Sequence, residues 1–366
     1  MVTRALSHLL RPASAVPWHL LRPALPLATR TVHILLGHAD RIETVLQLHD
    51  KHAEQFDASN VGRFWRSVGR IAHTDPTQAA WVRQNEGGAF APVRSTTARL
   101  APELAAGDLS ACVCGIWSSG LGRSPAWDDT WRRLEIAALE RVAGFSATDL
   151  EEAAQAFARV PERGDHARAS VLDAIATQLL LPGRGIQPGP GGLTPRDVVG
   201  IARAYGAAGH HVPELTALLL LHASRSLGSF TPRQLTLLFH AFCKLGAANE
   251  AVGAGILYAV VGSLASLDAH SLPMLAWSLA RARIPNPALY YEVSSLCGQR
   301  GLNNFSPSEL AALAHAYSVA PFSVDDLADG ASRHGYAPPP YEPPPHPLCP
   351  FCSCCIPRII HSHYTS

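Results

Sequence analysis

Lysine is almost missing from this chain. Of its thirty basic residues, only Lys51 and Lys244 are not arginine. Charged residues make up 16% of the sequence and hydrophobic ones 47%, a balance that excludes general disorder. No apolar run reaches membrane-spanning length; the longest, Leu215 to Leu221, is far too short. Nucleophile-base triads, phosphate loops and dinucleotide fingerprints are all missing, so neither an enzyme nor a cofactor is expected. His73-Thr74-Asp75 and the pair His210-His211 stand alone and carry no chemistry. Acidic residues are absent from the first 39 positions, where Arg4, Arg11, Arg22 and Arg30 fall among Ser, Thr and Leu. That pattern is an organellar presequence over residues 1–38, mitochondrial (matrix) in preference to plastid. A disordered N-terminus in an arginine-biased proteome is the alternative. Pro12, Pro17, Pro23 and Pro26 interrupt the stretch and exclude the continuous apolar core of a secretory signal.

What the chain has instead is a recurring echo: a large apolar residue, a small oxygen-bearing one, Pro or Ala, two variable residues, then an aliphatic one. The clearest copies are Leu193-Thr194-Pro195, Phe230-Thr231-Pro232 and Phe305-Ser306-Pro307. Leu267-Asp268-Ala269 is a degenerate copy, and the successive intervals are 37, 37 and 38 residues. Each copy spells out a helix start. In the second, Thr231 is the N-cap and Pro232 occupies the first helical position, where its missing N–H costs nothing. Gln234 reaches back to the cap, while Phe230 and Leu235 bracket it as a hydrophobic staple. Older copies are Phe56-Asp57-Ala58, Phe145-Ser146-Ala147 and, weakest, Leu109-Ser110-Ala111. In the Leu267 copy, Pro273 falls inside the first turns, so a kink or a late start is expected there.

Behind each start runs an apolar stripe at helical spacing, such as Leu235, Leu238, Phe239 and Phe242. A turn and a second apolar helix follow, as over residues 213–226 and 249–265. The expected fold is therefore all-α: a right-handed α-solenoid of about seven helical hairpins with a period of about 37 residues, over residues 39–330. A helix over residues 39–55 caps its start. The intervals Phe56 to Leu109 and Phe145 to Leu193 are longer, at 53 and 48 residues. Their surplus has loop composition, at Gln84 to Gly88 and Pro182 to Gly192.

If the units stack, the eleventh position of each copy forms a column: Arg66, Ser119, Gln155, Arg203, His240, Trp277 and His315. Arg66, Arg203, His240, Trp277 and His315 are the candidate RNA contacts, since such side chains hold phosphates or stack on bases. The competing reading places the column in the hairpin–hairpin interface, where these groups satisfy one another. Arginine abundance is equally two-sided. Its planar fork suits phosphate and base stacking, yet a GC-rich coding bias produces the same excess along with Ala, Gly and Pro. Loss of the leader would lower the net charge from +1 to about −3, which argues against a broad electrostatic footprint on nucleic acid.

Cys112, Cys114, Cys243 and Cys297 read as small buried hydrophobes. Cys349, Cys352, Cys354 and Cys355, followed by His361 and His363, offer a weak zinc set with no second well-spaced pair. They sit in a Pro- and Cys-rich tail, residues 331–366, expected to be disordered.

The segment F-S-P-S-E-L-A-A-L-A-H-A-Y (Phe305 to Tyr317) and the lead-in A-D-R-I-E-T-V-L-Q-L-H-D-K-H-A-E-Q-F-D-A-S-N-V (Ala39 to Val61) carry a resemblance. The chain resembles the helical arrays of FAST-kinase-like and RAP-domain organellar proteins, including the expanded families of alveolate protists. It is also similar to the repeat domain named after a subunit of the trypanosome RNA-editing substrate-binding complex. The resemblance covers about residues 39–330. It implies a mitochondrial protein that binds mRNA or rRNA and acts in processing, stability, translation or ribosome assembly. Many such relatives end in a RAP module resembling nuclease folds; here the Pro- and Cys-rich tail stands in that place, so no catalytic residue carries over. The alternative is a scaffold subunit that meets only the proteins of an organellar ribonucleoprotein.

Overall fold

A computed structural model describes residues 27–160, 168–181, 193–248 and 250–321. Among them are sixteen α-helices and no strand. The expected zinc set, most of the leader, the tail and the Pro182–Gly192 surplus lie outside the described residues. The helices are α1 (Leu27–His38), α2 (Ile42–His52), α3 (Ala58–Thr74), α4 (Pro76–Asn85), α5 (Ala91–Leu100), α6 (Ala106–Ser118), α7 (Asp128–Arg141) and α8 (Ala147–Phe157). Then follow α9 (Arg168–Leu180), α10 (Pro195–Ala208), α11 (Pro213–Arg225), α12 (Pro232–Lys244), α13 (Glu250–Val261), α14 (Ser271–Arg281), α15 (Pro287–Arg300) and α16 (Pro307–Ser318).

They stack in two layers. Helices α1, α3, α6, α8, α10, α12, α14 and α16 each pack against the next in that order. In the second layer α2, α5, α7, α9, α11 and α13 do the same, and each is joined to its first-layer partner. No helix buries its stripe alone, which is the physics of a solenoid. One continuous apolar core runs from Val32 to Ala316.

The helix starts are built as the echo requires. Ser146, Thr194, Thr231 and Ser306 each accept the N–H of the residue three further on, and Asp149, Asp197, Gln234 and Glu309 reciprocate. Asp57 caps α3 from Asn60 N at 2.8 Å. The Leu267 copy starts late, as Pro273 demands: the helix begins at Ser271, whose N–H is held by Asp268 Oδ1 at 2.7 Å.

Three expectations are corrected. First, the folded array begins earlier than residue 39. Helix α1 lies within the stretch assigned to the presequence, and its Val32 and Leu36 are buried against the array. With α2 it forms an additional unit, because its apolar face covers the end of α3 that would otherwise be bare. Second, the surplus in the Phe56 unit is not only loop; it contains α4, started by Pro76 and capped by Asp75.

Third, the weakest copy is out of register. Helix α6 starts at Ala106 after Ala105, and the staple residue is Leu104, not Leu109. A short 3-10 turn precedes six of the starts, and the apolar residue after each turn is buried. These turns end at Gln55, Glu103, Gly144, Ser229, Ser266 and Asn304. Leu104 follows Glu103 in that pattern. Ala105 has no side-chain oxygen, so the cap signal is missing there and Ser110, a mid-helix residue, mimics it. Ser110 Oγ instead donates to Asp149 Oδ1, tying α6 to the cap of α8. The partner expected for α16 lies outside the described residues.

Glycine allows a close approach between neighbouring first-layer helices. Helix α3 crosses α6 where Gly115 meets the backbone of Trp65, leaving no room for a Cβ. Beside it, Trp65 stacks on Phe90 and meets Trp127 edge-on, with ring centroids 6.2 and 5.6 Å away. Its indole N–H donates to Thr97 Oγ1 at 2.8 Å, so this large buried side chain leaves no polar atom unpaired.

Candidate nucleic-acid interface

The eleventh-position residues lie on successive first-layer helices, and the corrected register changes one of them. Counting from Leu104 puts Cys114, not Ser119, in the column; Ser119 is buried at the end of α6. The rest hold their places. Arg66 is exposed on α3, Arg203 half-buried on α10, His240 half-buried on α12, Trp277 half-buried on α14 and His315 exposed on α16.

Neighbouring members touch or feel one another electrostatically. Arg66 lowers the Cys114 thiol pKa, but burial dominates and pushes it to about 11, so this cysteine stays protonated. Arg203 has its guanidinium pKa lowered by burial and then by the charge of Arg233, with Glu151 opposing. Burial and then Arg203 do the same to Arg159. The rings of His240 and Trp277 lie with centroids 4.7 Å apart. Trp277 and His315 line one cleft of about 260 Å³, together with Ala280, Arg281, Arg283 and Val319.

His240 behaves differently from a phosphate contact. Its Nδ1 lies 3.3 Å from Ser278 Oγ on the next helix. Burial, then Lys244 and Arg203, push its pKa down to about 4, so it is neutral at physiological pH. It joins α12 to α14, as the interface reading of the column expected. Arg203, by contrast, stays charged, as a guanidinium does throughout the physiological range.

Sequence reasoning missed a second row one turn further along the same helices. Residues four apart share a helix face, and four residues beyond the column stand Arg70, Arg159, Lys244 and Arg281. The first turns add Arg196, Arg233 and His270. The signal was in the sequence as i, i+4 pairs, Arg66 with Arg70 and His240 with Lys244. Some members have structural partners. Arg70 donates to the carbonyl of Ala39, Arg233 lies 3.0 Å from Asp268, and His270 lies 2.6 Å from Glu309. Arg66, Arg159, Arg196, Arg203, Lys244 and Arg281 have no ion pair among the described residues. Lys244 and Arg281 also end their helices, where a cation suits the helix dipole.

At the edge of this face, Trp117 is flanked by two guanidinium groups, Arg123 at 5.0 Å and Arg159 at 5.7 Å from its ring centroid. Two acids, Glu151 and Glu152, are built into the middle; burial raises the pKa of Glu152, and Arg66 opposes it. Glu151 is buried, Gly200 on the adjacent helix leaves the space it fills, and burial raises its pKa. Among the described residues, no cluster of His, Cys, Asp and Glu has the make-up of a metal site, and no helix is long and apolar enough to cross a membrane. In comparison with known proteins, the chain matches no family model and no curated sequence.

Proposed function

We propose that this chain is a mitochondrial RNA-binding helical-repeat protein, in which single-stranded RNA lies along the first-layer face and is held chiefly through its phosphates. The observation that carries this reading is the run Arg159, Arg196, Arg203, Lys244 and Arg281. These cations, at four successive first-layer helices, form no ion pair among the described residues, although Arg159, Arg196 and Arg203 feel the charge of Glu151. A cationic track flanked by aromatic side chains is how single strands are held without base-specific readout. The resemblance to organellar RNA-associated arrays supports the same reading, and the acid-free, arginine-bearing start of the chain supports the mitochondrial address. A right-handed superhelix with a period of about 37 residues would turn this face into a continuous groove.

A scaffold subunit of an organellar ribonucleoprotein is the second reading. Exposed apolar residues on the second layer favour it: Ile136 and Leu139 on α7, and Leu180 at the end of α9. The two readings place contact on opposite layers. The test is binding of the full chain to a fluorescent single-stranded RNA by anisotropy, for wild type and the charge-reversed Arg159→Glu/Arg203→Glu/Lys244→Glu variant. RNA binding that collapses in the variant supports the first reading. Wild type that binds no RNA, with a protein partner lost on Ile136→Glu/Leu139→Glu, replaces it with the second.

A further inference from the structure

The cleft between α14 and α16 combines features found together nowhere else along the described face. One is conformational. The residues ending the turns after α6, α10 and α12 are Gly120, Gly209 and Gly246, with φ of 83°, 63° and 69°. Glycine is the residue for this left-handed conformation, because a Cβ there crowds the backbone. The equivalent residue after α14, sixteen positions beyond its staple residue as in the other three, is Arg283. It is the one non-glycine residue of positive φ among the described residues, at 54°. Strain retained where glycine would relieve it points to a use for the side chain.

A second feature is what surrounds it. Trp277, Arg281, Arg283 and His315 line the cleft of about 260 Å³, and no acidic residue is among its lining side chains. Trp277 is braced by His240, which is itself tied to Ser278, so the indole is held in place before any ligand arrives. Arg281, Arg283 and His315 are exposed. An aromatic surface beside two planar cationic forks matches a base joined to a phosphate. The volume is below that of a drug-sized pocket, which suits one nucleotide unit rather than a folded element.

We infer that the α14–α16 cleft seats a single unpaired nucleotide of the bound RNA, its base against Trp277 and His315 and its phosphate on Arg281 and Arg283. This rests on the RNA-binding reading and adds to it a fixed point on the strand, whereas the rest of the face holds only charge.

The test uses the full chain and a fluorescent single-stranded RNA, with a second strand carrying one central abasic site. Three variants are compared: Arg283→Gly, Trp277→Leu and Arg281→Ala. Arg283→Gly is the informative one, since glycine suits the backbone there. The expected result is an unchanged or higher melting temperature with RNA affinity lowered several-fold. Trp277→Leu should weaken binding by about tenfold, the size of one lost base stack, and should lose the difference between intact and abasic strands. Crosslinks from 4-thiouridine RNA should map to peptides containing Trp277 or His315. Wild type that binds intact and abasic strands equally, with Arg283→Gly binding unchanged, overturns the seat and leaves the RNA reading standing. Wild type that binds neither strand overturns both. An acidic peptide displacing RNA from wild type but not from Arg281→Ala would make the cleft a protein-docking site, and would likewise overturn it.

Discussion

The imidazole of His240 and the indole of Trp277 meet at 4.7 Å between ring centroids, across the boundary between α12 and α14. Both were candidates for contact with RNA, and in the fold each is first a contact for the other. Burial holds the His240 pKa down to about 4, against an ordinary value of 6.5. The sign of the consequence follows from proton counting. As pH falls from about 6.5, the unfolded chain takes up a proton that the folded one refuses. Stability therefore drops through the window from about 6.5 to about 4 and levels below it. Urea unfolding at pH 7, 5.5 and 4.5 should show that loss in wild type, and His240→Asn should flatten it.

Glu309 gives the opposite case. It receives the hydrogen bonds of His270 Nδ1, at 2.6 Å, and of the Ser306 backbone and hydroxyl in its capping box. These hold its pKa down to about 2, from an ordinary 4.5. Stability from this carboxylate is present above about 4.5 and is lost as pH falls toward about 2. Glu309→Gln should remove that acid-side loss and lower stability at neutral pH; acid titration of thermal unfolding checks both.

The capping boxes should be separable from the interface they support. Thr231→Ala removes the acceptor for Gln234 N, which lies 3.3 Å away, and should cost about 1 kcal/mol. Because Thr231 is exposed, RNA affinity per folded molecule should not change. A loss of affinity at full folding would place Thr231 in the interface.

Close approach of α3 and α6 should be intolerant of a single methyl group. Gly115→Ala drives a Cβ into the Trp65 carbonyl, which cannot yield without moving the helix. A loss of about 1–3 kcal/mol is expected from such overpacking. Gly228 lies in a short turn with nothing within 4 Å of its missing Cβ, so Gly228→Ala should be neutral or mildly stabilising. Equal effects in chemical denaturation would refute the packing argument.

Salt dependence should count the phosphate contacts. For single strands the slope of log affinity against log salt is about −0.7 per phosphate neutralised. Arg203→Ala should make the slope shallower by about that amount, and Arg233→Ala by less, because Arg233 is shared with Asp268 at 3.0 Å.

Helix starts were legible because each is a local event. Thr194, Thr231 and Ser306 lie within three residues of the groups they cap, so spacing alone locates them. Leu104 was not legible, because Ala105 offers no cap, and Ser110 carries the right hydroxyl for a different purpose. Helix α1 was hidden for another reason. Arginine without acid describes a targeting leader, and the burial of Val32 and Leu36 becomes visible only when α3 lies beside them.

Sequence by itself determined the helical class, the positions of most first-layer helices and the column that includes Arg66, Arg203, His240, Trp277 and His315. These depend on interactions a few residues long, repeated unit after unit. Tertiary structure alone decided that Cys114 replaces Ser119, that Arg159, Lys244 and Arg281 form no ion pair among the described residues, and that His240 is neutral. It also decided that Arg283 stands where three other turns have glycine. Burial, ring contact and backbone sign at a turn arise between units rather than within one, so a pattern read along the chain does not contain them.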